Sequence, residues 1–550
     1  MTAPAVNAGD RQTAGGELLL ESPAPPRGHL SLEEIVRPFS VERRGLTVVD
    51  RQSEVRLSYT DLATRAAAAS ERLRKAGVEP GTPVAMTISN TLESILSVLG
   101  VWMAGGCVVS VPPPPRAAAL QWYRSNFIPV LETIDCRYFI SSEDPADLPM
   151  PAKATALNPA VLTAGDHERR TVPDIAIPDR ALIQFTSGSI GAPKGVVIPG
   201  DRLAGHLAMI EQGMGIPDVE QEALVSWLPL YHDMGLVAMF LTGLCARVNM
   251  VIAAPSTFAG KPSNWLTMLS KYRATMTAAP NFAYRLAASV PYEDGLDLSR
   301  MRMALSGGER LHWQTLLDFH AVAGPLGFRW EVIRPSYGLA EGIVGSASTP
   351  LLRGPVRGPG GHVSVGPLLP GNRVRVREGL EPSPIHLGGE WLLAGYQTAE
   401  GFQPRQGDWW DTGDAGFVHD GELYVLGRRN EVISLAGRNI FAEDVEAIGH
   451  DAGAGQVAAC AAFRDSGGDH RFSVVVEGDR SLTASPEDAA DLARRIRSTV
   501  TELLGTRLTS VRIVRKGSIP VTTSGKVQRA QCRRLHDSGE LDRRTLAELR

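Results

Sequence analysis

Between residues 83 and 111 the chain spells an apolar run, "PVAMTI", then "NTLESILSVLGVWMAG", whose apolar positions recur at helical spacing, then a second apolar run, "CVVSV". The outer segments are short and rich in β-branched residues, the pattern of strands buried on both faces. The middle segment has the length of a helix, opens on Asn-Thr and closes on Gly105-Gly106. Strand, helix and strand follow. The alternation continues to about residue 350, with "ALVSWLPL" at 223–230 leading into a helical segment that begins at His232. Such alternation predicts α/β layers. From about 355 to 425 the texture changes to glycine-punctuated short strands, "GNRVRVREG", "GEWLLAGY" and "GELYVLG", which predict a small β subdomain. After "GRRNE" at 427–431 a further α/β unit occupies 432–550. The stretch 95–111 is near the roughly 17-residue lower limit for crossing a bilayer. Gly105-Gly106 divides it and "PPPP" follows it, so a buried helix, turn and strand explain it and no membrane span is predicted.

Composition narrows the class. A length of 550 residues allows two to four structural units, and 43% hydrophobic with 21% charged residues describes a folded protein. A formal charge of −4 gives no reason to expect nucleic acid or an anionic membrane as partner. Five cysteines, at 107, 136, 245, 460 and 532, lie far apart without a CxxC pair. They read as free thiols of a reducing, cytoplasmic setting, and they argue against disulfides or zinc. Residues 1–28 are rich in Ala, Pro and Gly without a basic start or long apolar run, and read as a loose tail.

The chemistry begins at "FTSGSIGAPKG", 185–195, which follows the plausible strand "RALIQ" and precedes "GVVI". Small residues there expose backbone N–H groups and hydroxyls to an anion, although taken alone such a segment is more often an ordinary tight turn. Gly195 after Lys194 breaks the nucleotide-triphosphatase spacing. Further along come "RPSYGLAE" at 334–341, "DWWDTGD" at 408–414, "GRRNEVISLAGRNI" at 427–440 and "IPVTTSGKVQR" at 519–529. In this order the five motifs resemble the adenylate-forming superfamily of acyl-CoA synthetases, adenylation domains, luciferases and fatty acyl-AMP ligases, over nearly the whole chain from about residue 30. "SWLPLYHDMGL", "APNFAY" and "AGRN" are most similar to the fatty acyl-AMP ligase branch.

That resemblance implies an N-terminal domain at 29–427, a hinge at 428–431 and a mobile α/β C-terminal domain at 432–550. It implies that a carboxylate attacks the α-phosphate of ATP to give acyl-AMP and pyrophosphate, after which a thiol of CoA or of carrier-protein phosphopantetheine expels AMP. Thr186, Ser187, Gly188, Ser189, Gly191 and Lys194 would cradle phosphate, and Glu341 would hold Mg²⁺, a hard ion suited to carboxylate and phosphate oxygens. Tyr337, with Gly308 and Gly338, would line the adenine site, and Asp414 would accept from both ribose hydroxyls while Asp411 is structural. Arg428 would reach ribose or phosphate. His232 would stand beside the acyl pocket, where Met234, Phe282 and Ala283 are apolar candidates. Lys526 would meet the developing charge of adenylation, and removal of such a contact typically costs about 10²–10³ in rate. After rotation of the C-terminal domain the Gly437 loop would line the thiol's approach. Taken singly, each has a plain alternative: a core Tyr or His, a solvated Glu, a surface Arg or Lys.

The sequence departs from the family pattern at four places. Ile190 replaces a hydroxyl residue in the phosphate loop, which removes a bond to charge worth about 1.5–3 kcal/mol. Glu431 stands at the hinge in place of Asp or Lys. No long insertion follows "YGLAE", and the C-terminal unit carries "NIFAED" at 439–444 where the branch has "NHYPQD". Three alternatives to a complete ligase stay open: a half-enzyme that uses acyl-AMP made by a partner adenylating enzyme, an amino-acid adenylation domain, and a non-catalytic acyl-adenylate-binding protein.

Overall fold

The computed structural model describes the chain apart from residues 1–10, 15–16, 24–33, 36–42, 51–52, 114–119, 145–148, 166–177, 186–192, 436–437, 454–455, 465–471, 480–481, 483–484, 507 and 522–526. The segment 83–111 folds as its pattern predicts: strand Pro83–Thr87, helix Leu92–Met103, strand Cys107–Val111. The Thr91 hydroxyl accepts from Ser94 N–H to open the helix, and Gly105, at φ +85°, turns the chain back. All five residues of the returning strand are buried, which accounts for its uninterrupted apolar run.

That strand lies inside a mixed eight-stranded sheet, between Arg180–Phe185 and Pro83–Thr87. A second eight-stranded sheet runs Ala347–Ser348, Ile333–Tyr337, Met303–Ser306, Met276–Ala279, Ala223–Ser226, Asn249–Ala253, Gly45–Val49, Glu54–Ser58, with parallel pairing through its middle. Helices Tyr59–Lys75 and Leu92–Met103 share one hydrophobic core with residues of both sheets. Trp102 Nε1 donates to Ala181 O of the first sheet, and Asn90 Nδ2 to Ala253 O of the second. These bonds tie the layers in register. None of the described helices is long and apolar enough to cross a membrane.

The glycine-punctuated region differs from its reading in two ways. Its strands divide between sheets: Asn372–Arg377, Ser383–Gly389, Trp410–His419 and Glu422–Arg428 form one, whereas Gly395–Thr398 and Gly401–Pro404 extend the first eight-stranded sheet beside Gly195–Pro199. The run "GEWLLAGY" is the crossing between them, not a single strand. The second difference concerns the supposed tail. Arg11–Ala14 and Glu17–Glu21 are strands, and Glu17–Glu21 pairs antiparallel with Asn372–Arg377. In "ELLLE" Leu18 and Leu20 are buried and Glu17 and Glu21 exposed, the period-two pattern of a half-buried strand masked by its Pro-rich flanks.

Beyond residue 431 a hairpin, Val432–Leu435 with Arg438–Phe441, leads into helix Ala442–Ala452 and a four-stranded sheet covered by helix Pro486–Leu504. This unit has its own core, built around Val445, Phe472, Val474, Leu492 and Ile496. Phe441 instead packs with Phe417, Tyr424 and Leu426 of the preceding sheet. All five cysteines are buried and free of disulfides.

Candidate active site

Two neighbouring parallel strands deliver the site. Met303–Ser306 runs into Gly307-Gly308, and Ile333–Tyr337 runs into Gly338, with Leu305 opposite Arg334 in register. Gly308 has φ +81°, and a Cβ on Gly338 would meet Val344 O at 1.6 Å, so both turns depend on glycine. Past Gly338 a 3₁₀ turn, Ala340–Gly342, carries Glu341, and Ile343 behind it sits at φ +69°, a conformation costly for a β-branched side chain. The Leu393 N–H donates to Glu341 O at 2.8 Å and ties that turn to the sheet crossing.

A single cavity of about 1040 Å³ opens over these strand ends. Lys194, His232, Gly308, Tyr337, Gly338, Glu341, Asp414 and Arg428, eight of the positions picked out in the sequence, all line it. Thr186, Ser187, Gly188, Ser189, Gly191, Ile190, Gly437 and Lys526 lie outside the described residues. Val521 and Val527, which flank residues 522–526 and form a bridge with one another, line the cavity.

The polar end is a network. Tyr337 Oη donates to Asp414 Oδ2 at 2.6 Å, Arg428 Nε lies 3.1 Å from Asp414 Oδ1, and Arg428 Nη1 donates to Thr412 O at 2.8 Å. Burial raises the Asp414 carboxyl above its ordinary range, with Arg428 and Tyr337 pulling it partly back. Burial also lifts the Tyr337 phenol, and the adjoining Asp414 charge lifts it further. Burial alone would lower the Arg428 guanidinium, but Asp414 holds it above its usual value. Asp411, by contrast, accepts from Gly413 N–H and pairs with Arg429, so it shapes the turn that aims Asp414. Glu341 Oε1 accepts from Tyr396 Oη at 2.6 Å, and Lys194 Nζ stands 5.3 Å from the Tyr396 ring centroid.

The other end is apolar. Met209, Met214, Met234, Met239, Phe282 and Leu286 line it. Met234 and Met239 belong to Met234–Leu241, which is wound as a π-helix, a form concentrated at functional sites. His232 precedes it, with Nδ1 2.6 Å from Asp233 Oδ1. Ala283 is a correction: on helix Asn281–Ala288 it is fully buried in the core, whereas Phe282, Arg285 and Leu286 turn to the cavity.

Sequence reasoning missed Tyr396, Arg310 and Arg529. Tyr396 gave no signal beyond ending an apolar run, and its role depends on a pairing of strands far apart in sequence. Arg310 pairs with Asp444 at 2.7 Å and stacks over Phe441, which links the strand-end loop to the unit beyond the hairpin. Arg529 is held by Glu446 through two bonds, at 2.7 and 2.8 Å, by Glu443 at 2.9 Å and by Glu431 of the expected hinge. It follows Lys526 by three residues.

The residues fit a nucleotide. Asp414 uses one lone pair on each oxygen and keeps one on each for adjacent hydroxyls. Among the described residues no group of three or more His, Cys, Asp or Glu side chains could hold a metal by itself. Glu341 is a lone carboxylate facing the cavity, the donor that Mg²⁺ takes when phosphates complete its shell.

Parallel strands that end in glycine turns thus surround a buried, paired carboxylate, Asp414. The chain belongs to the AMP-binding enzymes, the family whose pattern matches residues 40–402. Long-chain-fatty-acid–AMP ligase FadD26 of Mycobacterium marinum is 30% identical over 541 residues, covering 86% of this chain and 90% of its own. Putative ligase Rv1013 of Mycobacterium tuberculosis is 29% identical over 524 residues, covering 88% and 96%. The medium-chain-fatty-acid–[acyl-carrier-protein] ligase JamA of Moorena producens is 29% identical over 544 residues, covering 88% and 90%. Among solved structures, one from a study of fatty acyl-adenylate ligases of E. coli and L. pneumophila superimposes with TM-score 0.79 at 25% identity, over 93% of this chain and 98% of that one. The chain stands near the fatty acyl-AMP ligases within the adenylate-forming superfamily.

Proposed function

We propose that the protein is an acyl-activating ligase that joins a lipophilic carboxylic acid to AMP and then to a thiol. One observation carries this reading: the Tyr337–Asp414–Arg428 network and the methionine-lined pocket share one cavity, so nucleoside and acyl chain would meet over Gly308 and Gly338. In the first step a carboxylate oxygen bonds to the α-phosphorus of ATP and the bond to pyrophosphate breaks. In the second a thiolate sulfur bonds to the acyl carbon, AMP leaves, and the thiol proton passes to solvent.

Asp414 would hold the ribose, Tyr337 and Gly338 the adenine, and Lys194 with Thr186–Gly191 the phosphates. Glu341, held in place by Tyr396, would carry Mg²⁺, which offsets phosphate charge when bound. Catalysis of this type depends on alignment and charge placement, which a preformed network supplies. Lys526 would act in the first step. Residues 428–431 would be the hinge, and rotation of 432–550 would bring the Gly437 loop to the site for the second. Similarity to JamA, a ligase whose name gives an acyl-carrier protein as acceptor, supports a carrier-protein thiol as the acceptor of this chain, with CoA as the alternative.

The test is ATP–pyrophosphate exchange across a panel of acids, for the natural protein beside Ile190→Thr. Strong exchange by the natural protein, rising by about tenfold to hundredfold in the variant, is the expected outcome. Exchange in Ile190→Thr alone would instead make the natural chain a half-enzyme supplied with acyl-AMP by a partner.

A further inference from the structure

Arg334 lines the same cavity, three residues before Tyr337 on the strand Ile333–Tyr337. Positions 334 and 336 share a face of that strand, so Ser336 and Arg334 lie along one wall, and from Tyr337 at the strand's end down to Arg334 the strand rises about 10 Å at roughly 3.3 Å per residue. Ser336 Oγ lies 2.7 Å from Ser348 Oγ, and both residues line the cavity, which makes this wall polar. The surroundings of the lower end, Met209, Met214 and Met303, are apolar.

Among the described residues the guanidinium there has only neutral partners. Nε donates to Thr349 O at 2.8 Å, Nη1 donates to Gly213 O at 3.0 Å and lies 3.5 Å from Met303 Sδ. Burial alone acts on it, pushing its pKa down to about 10, with no carboxylate holding it up. The other arginines that line the cavity each have an acid acting on them: Arg310 has Asp444, Arg428 has Asp414, Arg529 has Glu446, and Arg285 feels the charge of Glu309. Gly213 ends helix Gly200–Gly213, and a cation at a helix C-terminus accounts for Nη1. It leaves Nη2, which donates to no described residue, and a buried cation without an anion is costly.

We infer that the pocket takes an acid with an apolar middle and an anionic far end, most simply an α,ω-dicarboxylate, whose distal carboxylate is received by Arg334. This rests on the acyl-activating reading above. The two charges need each other: a second carboxylate would not enter a methionine-lined pocket unpaired, and Arg334 gains the anion that the chain itself does not supply.

The experiment pairs α,ω-dicarboxylic acids of about six to fourteen carbons, which bracket that roughly 10 Å rise, with monocarboxylic acids of equal length. Exchange rates and calorimetric binding are measured for the natural protein, R334M and R334K. The natural protein should favour the matched dicarboxylate by about tenfold to hundredfold, the range of a hydrogen bond to charge. R334M should bring that ratio toward one, and R334K should keep part of it. A folding defect would lower both acids alike and leave the ratio unmoved. Equal use of both acids by the natural protein, or a ratio unchanged in R334M, overturns the inference while leaving acyl activation standing. If no acid supports exchange, adenylation fails as a reading, and the binding ratio still decides whether Arg334 receives a distal carboxylate.

Discussion

Asp414 presents four lone pairs, and the protein takes two of them, through Tyr337 and Arg428. The carboxylate is thereby fixed by the protein's own groups at the wall of the cavity. Asp414→Asn replaces one acceptor oxygen by a donor amide and removes the charge that Arg428 faces. We expect kcat/KM for ATP to fall by about tenfold to hundredfold, the equivalent of one hydrogen bond to charge, with the KM for the acid much less affected. Steady-state exchange with each substrate varied in turn checks this. Asp414, Glu341 and Tyr337, picked out only through the resemblance of their motifs to a family, do line one cavity. Tyr396 and Arg334 were not picked out. One acts through a pairing between Gly195–Pro199 and Gly395–Thr398, the other through the carboxylate it lacks, and neither can be read without the packed structure.

Elements were most legible where both faces are buried. "CVVSV" could only be an interior strand, and its neighbouring helix carried its own start and stop signals. Legibility failed where a strand's partner is distant. "GEWLLAGY" read as one strand because nothing local shows that the chain leaves one sheet for another within it. Residues 11–21 read as tail because composition outweighed the alternation of a five-residue strand. Leu20, 5% exposed, stands opposite Val374 in that strand pair. Leu20→Ala should therefore destabilise the protein by about 2–5 kcal/mol, a cost no loose tail would show, measurable as a shift in the denaturation midpoint.

Across the whole molecule, histidines set a limit in acid. Burial pushes His206 and His312 down to about 3 and His362 down to about 4, and lowers His450 as well. An unfolded chain takes up these protons near pH 6.5, whereas the folded one refuses them until pH 3 to 4, so the unfolded state binds more protons in between. Stability contributed by the neutral rings is complete above about pH 6.5 and drains away as pH falls through that window. Glu211, Asp414, Glu431, Glu446 and Asp451, raised chiefly by burial, act in the opposite sense, since the folded state holds their protons to higher pH. His206→Leu should flatten the dependence of unfolding free energy on pH by up to about 1.4 kcal/mol per pH unit, the weight of one proton. Denaturant melts between pH 7 and 4 measure that slope, which stays informative even though the loss of the Gly345 N–H partner lowers absolute stability.

The pairing of Leu20 with Val374 also sets a timetable. A ribosome that adds about 5–20 residues per second needs roughly 20–70 s to travel from one partner to the other. Through that interval the hairpin of residues 11–21 has left the tunnel with its leucines uncovered and no sheet to join. It is a segment that a holding chaperone would cover, and a fusion placed ahead of it would come to lie beside one edge of that sheet.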